Sequence, residues 1–289
     1  MSRAASATAR WIVVPPIQYQ AVWRSAVAKA VEAAGLRLHD LDAAPETAPF
    51  NDPNVVILTS DANQVVLAGA PVDAVAGLMA DSGIRIGHGD EAPHDLQAVT
   101  ALLGRIGLLP PERIFRSDDF NAGPVEILKG VKLQRPGLPA QTPLSARAKA
   151  VIDAVALLDP AQPRAIWAPE LFNYDSRTAP GGTQGQLDLT GRPRFLITGP
   201  YIVMPAGRYR TTYQLSFDEK GSRPRFRVDW GGIEDYASEE FVPGRPGAFK
   251  ITQEYLWAEA APCELRIIVM EGVFEGRMTF SGAEIVRID

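Results

Sequence analysis

The stretch Ile197-Thr198-Gly199-Pro200-Tyr201-Ile202-Val203-Met204-Pro205-Ala206-Gly207-Arg208-Tyr209 sets two short apolar runs on either side of a Pro-Ala-Gly turn. A strictly alternating segment follows. Tyr209, Thr211, Tyr213, Leu215 and Phe217 fall on one face, and Arg208, Arg210, Thr212, Gln214 and Ser216 on the other. Period-2 alternation predicts a strand with one face buried and one in water. The glycines and prolines of the stretch are expected to set turns, and its tyrosines to fill a core. Everything downstream reads as β, whereas the chain before Pro163 alternates strand and helix patterns, so the stretch marks a change of architecture.

Downstream, Phe226, Val228 and Trp230 alternate with Arg225, Arg227 and Asp229. Phe249, Ile251, Gln253, Tyr255 and Trp257 share a face, as do Leu265, Ile267 and Val269. Met278 and Phe280 open a last strand, with Gly282 placed for a bulge. Turns at Gly231-Gly232 and Pro243-Gly244-Arg245-Pro246-Gly247 separate these segments, and the pattern predicts an antiparallel, jelly-roll-like β-sandwich.

Upstream, Trp11–Val14 is a short apolar run stopped by Pro15-Pro16. Val22, Trp23, Ala26, Val27, Ala30, Val31 and Ala34 recur at helical spacing, and Gly35 ends that helix. Leu36–Leu41 alternates as a strand, and Val55–Leu58 is the near-continuous apolar run of a strand covered on both faces. A polar loop, Thr59 to Asn63, follows it. Pro71 to Met79 predicts a helix facing inward through Val72, Val75, Ala76 and Met79, and Ile84–Ile86 a brief strand. Further helices are expected over Asp95–Gly104 and Ser145–Leu158, with short strands near Ile114-Phe115 and Val125–Leu128 between them. Arg164–Trp167 is expected as a last strand of this part. The order predicts an α/β domain built on a Rossmann-like open parallel sheet. Domains are therefore expected at residues 1–172 and 185–289, joined by a linker at 173–184.

Bulk composition excludes several function classes. The 289 residues carry a net charge of -5, shared evenly between the halves, so the basic excess that phosphate-backbone binding needs is absent and nucleic acid is not an expected partner. No run reaches the roughly 18 apolar residues of a membrane span. Cys263 is the only cysteine, which leaves no intrachain disulfide or cysteine zinc cluster. These features predict a cytoplasmic protein.

Chemistry is harder to place. After the first strand, Pro15-Pro16-Ile17-Gln18-Tyr19 supplies none of the glycines of a dinucleotide or P-loop site. No Gly-x-Ser-x-Gly elbow is present. Ligands of open α/β sheets bind at the C-terminal strand ends, where this sequence offers Ser60, Asp61 and Asn63, then His88 and Asp90. His88, Asp90, Glu91 and His94 are of metal-ligating types, yet a polar loop leading into a helix accounts for them, so no metal and no cofactor is expected. In the β part, Trp230, Tyr236 and Trp257 are the candidates to stack on sugar rings, with Tyr236, in the loop after Trp230, the best exposed of them. For Trp230 and Trp257 core packing is expected ahead of stacking.

Leu187-Asp188-Leu189-Thr190-Gly191-Arg192, Gly199-Pro200-Tyr201-Ile202, Met204-Pro205-Ala206-Gly207-Arg208-Tyr209-Arg210 and Glu275-Gly276-Arg277-Met278 resemble the carbohydrate-binding-module-like β-sandwich appended to bacterial glycosyltransferases and cell-surface polysaccharide proteins. The resemblance covers about the last 105 residues and rests on turn and core positions. More vaguely, the N-terminal part is similar to a truncated Rossmann-like glycosyltransferase half. Three readings follow. The first is an accessory, non-catalytic glycan-binding protein of surface-polysaccharide synthesis. The second is a small glycosyltransferase-like enzyme that takes a nucleotide-sugar at the strand-end loops. The third is an assembly scaffold for a protein partner or a second copy of the chain.

Overall fold

The structure is a computed structural model that describes residues 8–17, 19–79, 93–138, 146–175 and 185–289. Its chain divides into two compact units, Met1–Gly87 with Arg105–Ala148, and His88–Gly104 with Lys149–Asp289. Among the described residues no helix is long and apolar enough to cross a membrane.

The first unit is built on a parallel sheet. Its elements are β1 (Arg10–Val13), α1 (Gln20–Ala33), β2 (Arg37–Asp40), β3 (Val55–Thr59), α2 (Ala62–Leu67) and β4 (Val75–Met79). After α3 (Pro93–Gly104), which belongs to the other unit, β5 (Ile114–Arg116) completes the sheet, and β6 (Val125–Leu128) and β7 (Val131–Leu133) form a separate antiparallel hairpin. The strand order is β2-β3-β1-β4-β5 with every pairing parallel. It differs from the 3-2-1-4-5 order of dinucleotide-binding folds, because β3 rather than β2 lies beside β1. All five residues of β3 are buried, as its unbroken apolar run predicts. On α1, Trp23, Val27 and Val31 make the buried stripe.

One expectation for this region changes, and one falls outside the described residues. Val75–Met79 is a strand beside β1, preceded by a short 3-10 turn, and not the second half of a helix. Its apolar spacing fits a helix face, but four of its five residues are buried, which a two-sided strand achieves and a short amphipathic helix does not. On this strand Gly77 lies close under Leu109, whose Cδ1 would stand 2.8 Å from a Cβ there. The strand expected at Ile84–Ile86 lies outside the described residues.

In the second unit α4 (Ala146–Ala154), whose first residues fall in the first unit, precedes β8 (Arg164–Trp167), β9 (Asn173–Tyr174) and β10 (Gln186–Asp188). The long strands follow: β11 (Arg194–Met204), β12 (Gly207–Phe217), β13 (Phe226–Gly231), β14 (Tyr236–Phe241), β15 (Gly247–Trp257), β16 (Ala261–Val269) and β17 (Arg277–Arg287). They make two antiparallel sheets, β10-β17-β12-β15 with β8 also on β17, and β14-β13-β16-β11-β9. The sheets face each other. Phe217 of β12 lies 4.9 Å from Phe226 of β13, and Trp257 of β15 lies 4.9 Å from Trp230 of β13. Gln253 of β15 crosses the same gap, donating to the Val228 carbonyl at 3.0 Å and accepting from the Tyr213 hydroxyl at 3.0 Å. The alternation of β12 holds, with Tyr209, Thr211, Tyr213, Leu215 and Phe217 buried.

Arg164–Trp167 does not close the parallel sheet. It pairs antiparallel with β17, Trp167 against Ala283, and the buried Trp167 indole donates to the Ala154 carbonyl at 3.1 Å. Gly282 faces this contact with φ +96, and a Cβ there would meet the Trp167 carbonyl oxygen at 2.5 Å. Helix α3 packs within the second unit too. A Cβ on Gly104 would stand 3.1 Å from Ile202 Cγ2 of β11.

Candidate functional site

Strand register arranges the outer face of the β14-β13-β16-β11-β9 sheet as three cross-strand rows. The first runs Tyr236, Gly231, Glu264, Pro200; the second Ser238, Asp229, Arg266, Thr198; the third Glu240, Arg227, Ile268, Phe195. The rows take alternate residues of β14, β13 and β16, because odd and even positions point to opposite faces, and on β11 a register shift between Phe195 and Ile197 brings Phe195 into the third row. Cys263, Leu265, Ile267 and Val269 of β16 are buried on the inner side, which leaves Glu264 and Arg266 on the outer one.

Gly231 carries no side chain, and the Tyr236 hydroxyl crosses its row to reach Glu264 Oε2 at 2.9 Å. Tyr201 donates to Glu264 Oε1 at 3.0 Å from the far side, and Arg266 Nη2 donates to Oε2 at 2.6 Å. Tyr201 has φ +60, in the left-handed region rarely occupied by a bulky residue, where the register of β11 against β16 slips between Pro200 and Val203. That backbone turn brings a residue of the Gly199-Pro200-Tyr201 stretch onto the carboxylate.

Over this carboxylate sits Arg266. Its guanidinium carbon lies 4.2 Å from the centroid of the Tyr236 ring and 5.9 Å from that of Phe195. A cation over an aromatic face contributes about 1 kcal/mol at such half-exposed sites. In the adjoining row Arg227 grips Asp229 through two nitrogens, Nε at 2.8 Å and Nη2 at 2.7 Å, and Ser238 Oγ donates to Asp229 Oδ1 at 2.7 Å.

Both acids are deeply covered although they lie on an outer face. Asp229 is 0% and Glu264 5% exposed. Burying a carboxylate costs several kcal/mol unless charge and hydrogen bonds offset it. Burial pushes the Glu264 carboxyl up, but the hydrogen bonds from Arg266, Tyr236 and Tyr201 outweigh that and hold it below the usual range. Burial, then the bond to Glu264, pushes the Tyr236 phenol up to about 12. Both groups therefore keep fixed protonation states near neutral pH. The face presents Phe195, 52% exposed, the half-buried rings of Tyr201 and Tyr236, and two arginines pinned by their acids. Such a surface suits a ligand with flat apolar C–H faces and many hydroxyls.

The sequence candidates distribute as follows. Tyr236 is the first residue of β14 rather than a loop residue, and it stands at the centre of this cluster. Trp230 and Trp257, 0% and 3% exposed, pack edge-to-face in the core and present no ring face to a sugar. Large flat side chains on inward positions of paired strands fill the gap between the sheets. Tyr209 and Tyr213 fill the core as expected, and Tyr201 does not. Phe195, Glu264 and Arg266 were not anticipated. The signal available was the repeated spacing Arg227-x-Asp229 and Glu264-x-Arg266, which puts opposite charges on one face of a strand.

In the parallel-sheet unit the strand ends are tied to one another. Asp42, just past β2, accepts from the Ser60 amide at 2.9 Å, from Thr59 Oγ1 at 2.9 Å and from Arg24 Nη1 at 2.8 Å. Burial raises its pKa, and these hydrogen bonds outweigh it and bring it below the usual range. Asp61 caps α2 by accepting from the Asn63 amide at 2.9 Å, and it pairs with Arg105 at 2.6 Å. Ser60, Asp61 and Asn63 thus share in holding β2, β3 and α2 together. His88 and Asp90 lie outside the described residues. Among the described residues no group of three or more His, Cys, Asp or Glu could hold a metal ion.

No family model matches the chain. No curated protein matches it either. Solved structures similar to it include carbohydrate-binding modules. The module TmCBM61 in complex with β-1,4-galactotriose is 10% identical over 44% of this chain and 83% of its own, with a TM-score of 0.29. The CBM36-1 domain of a multidomain xylanase from the hindgut metagenome of Trinervitermes trinervoides is 12% identical over 44% and 98%, at 0.29. The C-terminal CBM6 of the laminarinase LamC from Zobellia galactanivorans is 15% identical over 43% and 99%, at 0.29. At these scores the likenesses carry no weight for function, which rests on the chain's own residues.

Proposed function

We propose that this chain is an accessory, non-catalytic glycan-binding protein, and that its sugar site is the outer sheet face around Tyr236 and Arg266. One observation carries the reading: a guanidinium set over the Tyr236 ring and anchored to a buried carboxylate that Tyr201 and Tyr236 also hold. Rigid aromatic surface beside fixed donors is what stacking on a pyranose and bonding to its hydroxyls require. The outer face of the opposite sheet offers no comparable platform, since Arg208 and Arg210 are paired with Glu254 and Thr212 faces Thr252. Charge sharpens the ligand class. Arg227 and Arg266 are each matched by a buried acid, which favours a neutral saccharide over an acidic one.

Within this reading the two-sheet unit is jelly-roll-like and the parallel sheet Rossmann-like. The protein would serve bacterial surface-polysaccharide synthesis from the cytoplasm, a location in keeping with its single, buried cysteine. A glycan array tests the site. Retention of neutral oligosaccharides by the full chain, lost in Tyr236→Ala while the thermal transition persists, is the expected result. An array blank for the native chain, or unaltered in Tyr236→Ala, overturns it.

A further inference from the structure

The sheet β10-β17-β12-β15 ends on β15, which among the described residues pairs on one side only, with β12. This edge is eleven residues long, about 36 Å at the rise of an extended strand. It runs against β12 from Gly247 to Trp257 without a register shift. Prolines, bulges and short length are the usual protection of a free edge, and β15 has none of them. The other strands at sheet ends of this unit are short. Strand β8 has four residues, β10 three and β9 two, and β14 has six with the adjacent acids Glu239 and Glu240.

The order of side chains along the edge is the second and independent observation. Ala248, Lys250, Thr252, Glu254 and Leu256 stand on the wet face of β15, all exposed, and Thr252 is the midpoint of the strand. In an antiparallel ladder about Thr252, all eleven residues of two β15 strands would pair. Lys250 of each copy would then lie opposite Glu254 of the other. The same register sets Ala248 against Leu256, which is 64% exposed, and the half-buried ring of Phe249 against that of Tyr255. A slip of two residues either way shortens the ladder and sets Lys250 against Thr252 or Leu256 instead. Within its own chain Glu254 is paired with Arg208 and Arg210 of β12, and Lys250 has no ion pair among the described residues. Across three strands the row would read Arg210, Glu254, Lys250, with alternating sign. Directly opposed unlike charges favour a register, and like charges oppose it.

We propose that β15 is a dimerisation edge, through which two copies of this chain pair antiparallel about a two-fold axis at Thr252. The two strands would exchange about ten backbone hydrogen bonds, as many as a specific interface commonly carries. A second copy is favoured over a foreign strand because the outward sequence is its own complement in the register that uses its whole length. Opposed residues of an antiparallel ladder point to the same face, so both copies turn corresponding faces the same way. On the reading of the sugar site given above, two such sites would face one way, and a polymer spanning both would be held more tightly than by either alone. The pairing itself does not depend on that site.

Sedimentation equilibrium of the full chain, with no sugar present, tests the pairing separately from glycan binding. A monomer–dimer equilibrium is expected. Lys250→Glu and Glu254→Lys should each weaken it at least about tenfold, since each sets like charges opposite one another. Mixed in equal amounts, the two variants should associate again, because every Glu then meets a Lys. Lys250 is exposed, so Lys250→Glu should keep its unfolding midpoint. Cross-linking reads the register. In Thr252→Cys two thiols meet across the axis, on Cα atoms about 4.5–5.5 Å apart and so within disulfide reach, and the native Cys263 is buried. Oxidation by glutathione disulfide should link Thr252→Cys into a covalent dimer and leave Ala248→Cys, which faces Leu256, unlinked. The proposal is overturned by a chain that stays monomeric up to about 0.1 mM, by a dimer indifferent to Lys250→Glu, by mixed variants that stay apart, or by Ala248→Cys linking as readily as Thr252→Cys.

Discussion

Tyr201 and Tyr236, on strands separated by β13 and β16, donate to opposite oxygens of a single carboxylate, that of Glu264. Three strands of one sheet are thereby joined on their outer side by side chains as well as by their backbone ladders. Tyr236→Phe keeps the ring under Arg266 and removes the proton shared between Glu264 and the Ile233 carbonyl. The expected cost is about 1 kcal/mol of unfolding free energy, read from urea denaturation. Glycan binding should weaken less than in Tyr236→Ala, because the stacking surface remains.

Acid should loosen the same cluster. The Glu264 carboxyl lies below its usual range in the folded protein, and near 4.3, within about a unit, when unfolded. A group with a depressed folded pKa stabilises the fold above its unfolded pKa, and that contribution is lost as pH falls through the folded value. The stability difference between the native chain and Glu264→Gln should therefore hold steady from neutral pH down to about pH 5 and shrink below about pH 4. A difference that stays flat to pH 3 contradicts the assignment. On the alkaline side the sign reverses. Tyr236 keeps its proton up to about 12 when folded but only to about 10 when unfolded, so stability should fall between those values.

Gly231→Ala should be among the most damaging single-methyl changes in the second unit. A Cβ at that position would stand 2.4 Å from the Asp235 carbonyl oxygen, 2.9 Å from Tyr255 Cε2 and 3.0 Å from the Tyr236 Cα. Two of these are backbone atoms that cannot swing aside. A loss of about 2 kcal/mol or more is expected in chemical denaturation, with weaker glycan binding because Tyr236 must shift.

Trp257→Phe should separate core from site. Shrinking a buried ring is expected to cost about 2 kcal/mol and to lower the thermal midpoint, while glycan binding by the folded protein stays as it was. Loss of binding at full stability in that variant would return Trp257 to the sugar site and contradict its burial.

How far the sequence carried depended on which contacts are local. β12 was legible because five alternating residues share one face, and every one of them is buried. Val55–Leu58 was legible for the opposite reason, having no polar face at all, although the strand runs one residue further, to Thr59, which was assigned to the loop. Val75–Met79 was misread because Val75, Ala76 and Met79 fit a helix stripe as well as a covered strand, and only pairing with β1 and β5 separates the two. At the site, Tyr236 stood out as an aromatic outside the core pattern. Its partners did not, because Glu264 and Arg266 reach it through the registers of β13 with β14 and with β16, which no local pattern encodes.

The pairing of Arg164–Trp167 with β17 bears on where this protein can be cut. A fragment begun at the Gly-rich segment near residue 185 would leave the Trp167 partner residues Ala283 to Val286 as an uncovered ladder. It would also strip β9 from Ile197 and Thr198. Bare edges of that kind invite strand-to-strand aggregation. A fragment begun at Lys149 keeps β8, β9 and the Ala154 carbonyl that receives the Trp167 indole proton, although it still loses α3, which packs against Ile202 of β11. Of the two, the longer piece should aggregate less, so the practical start of the two-sheet unit lies well upstream of its most conspicuous glycines.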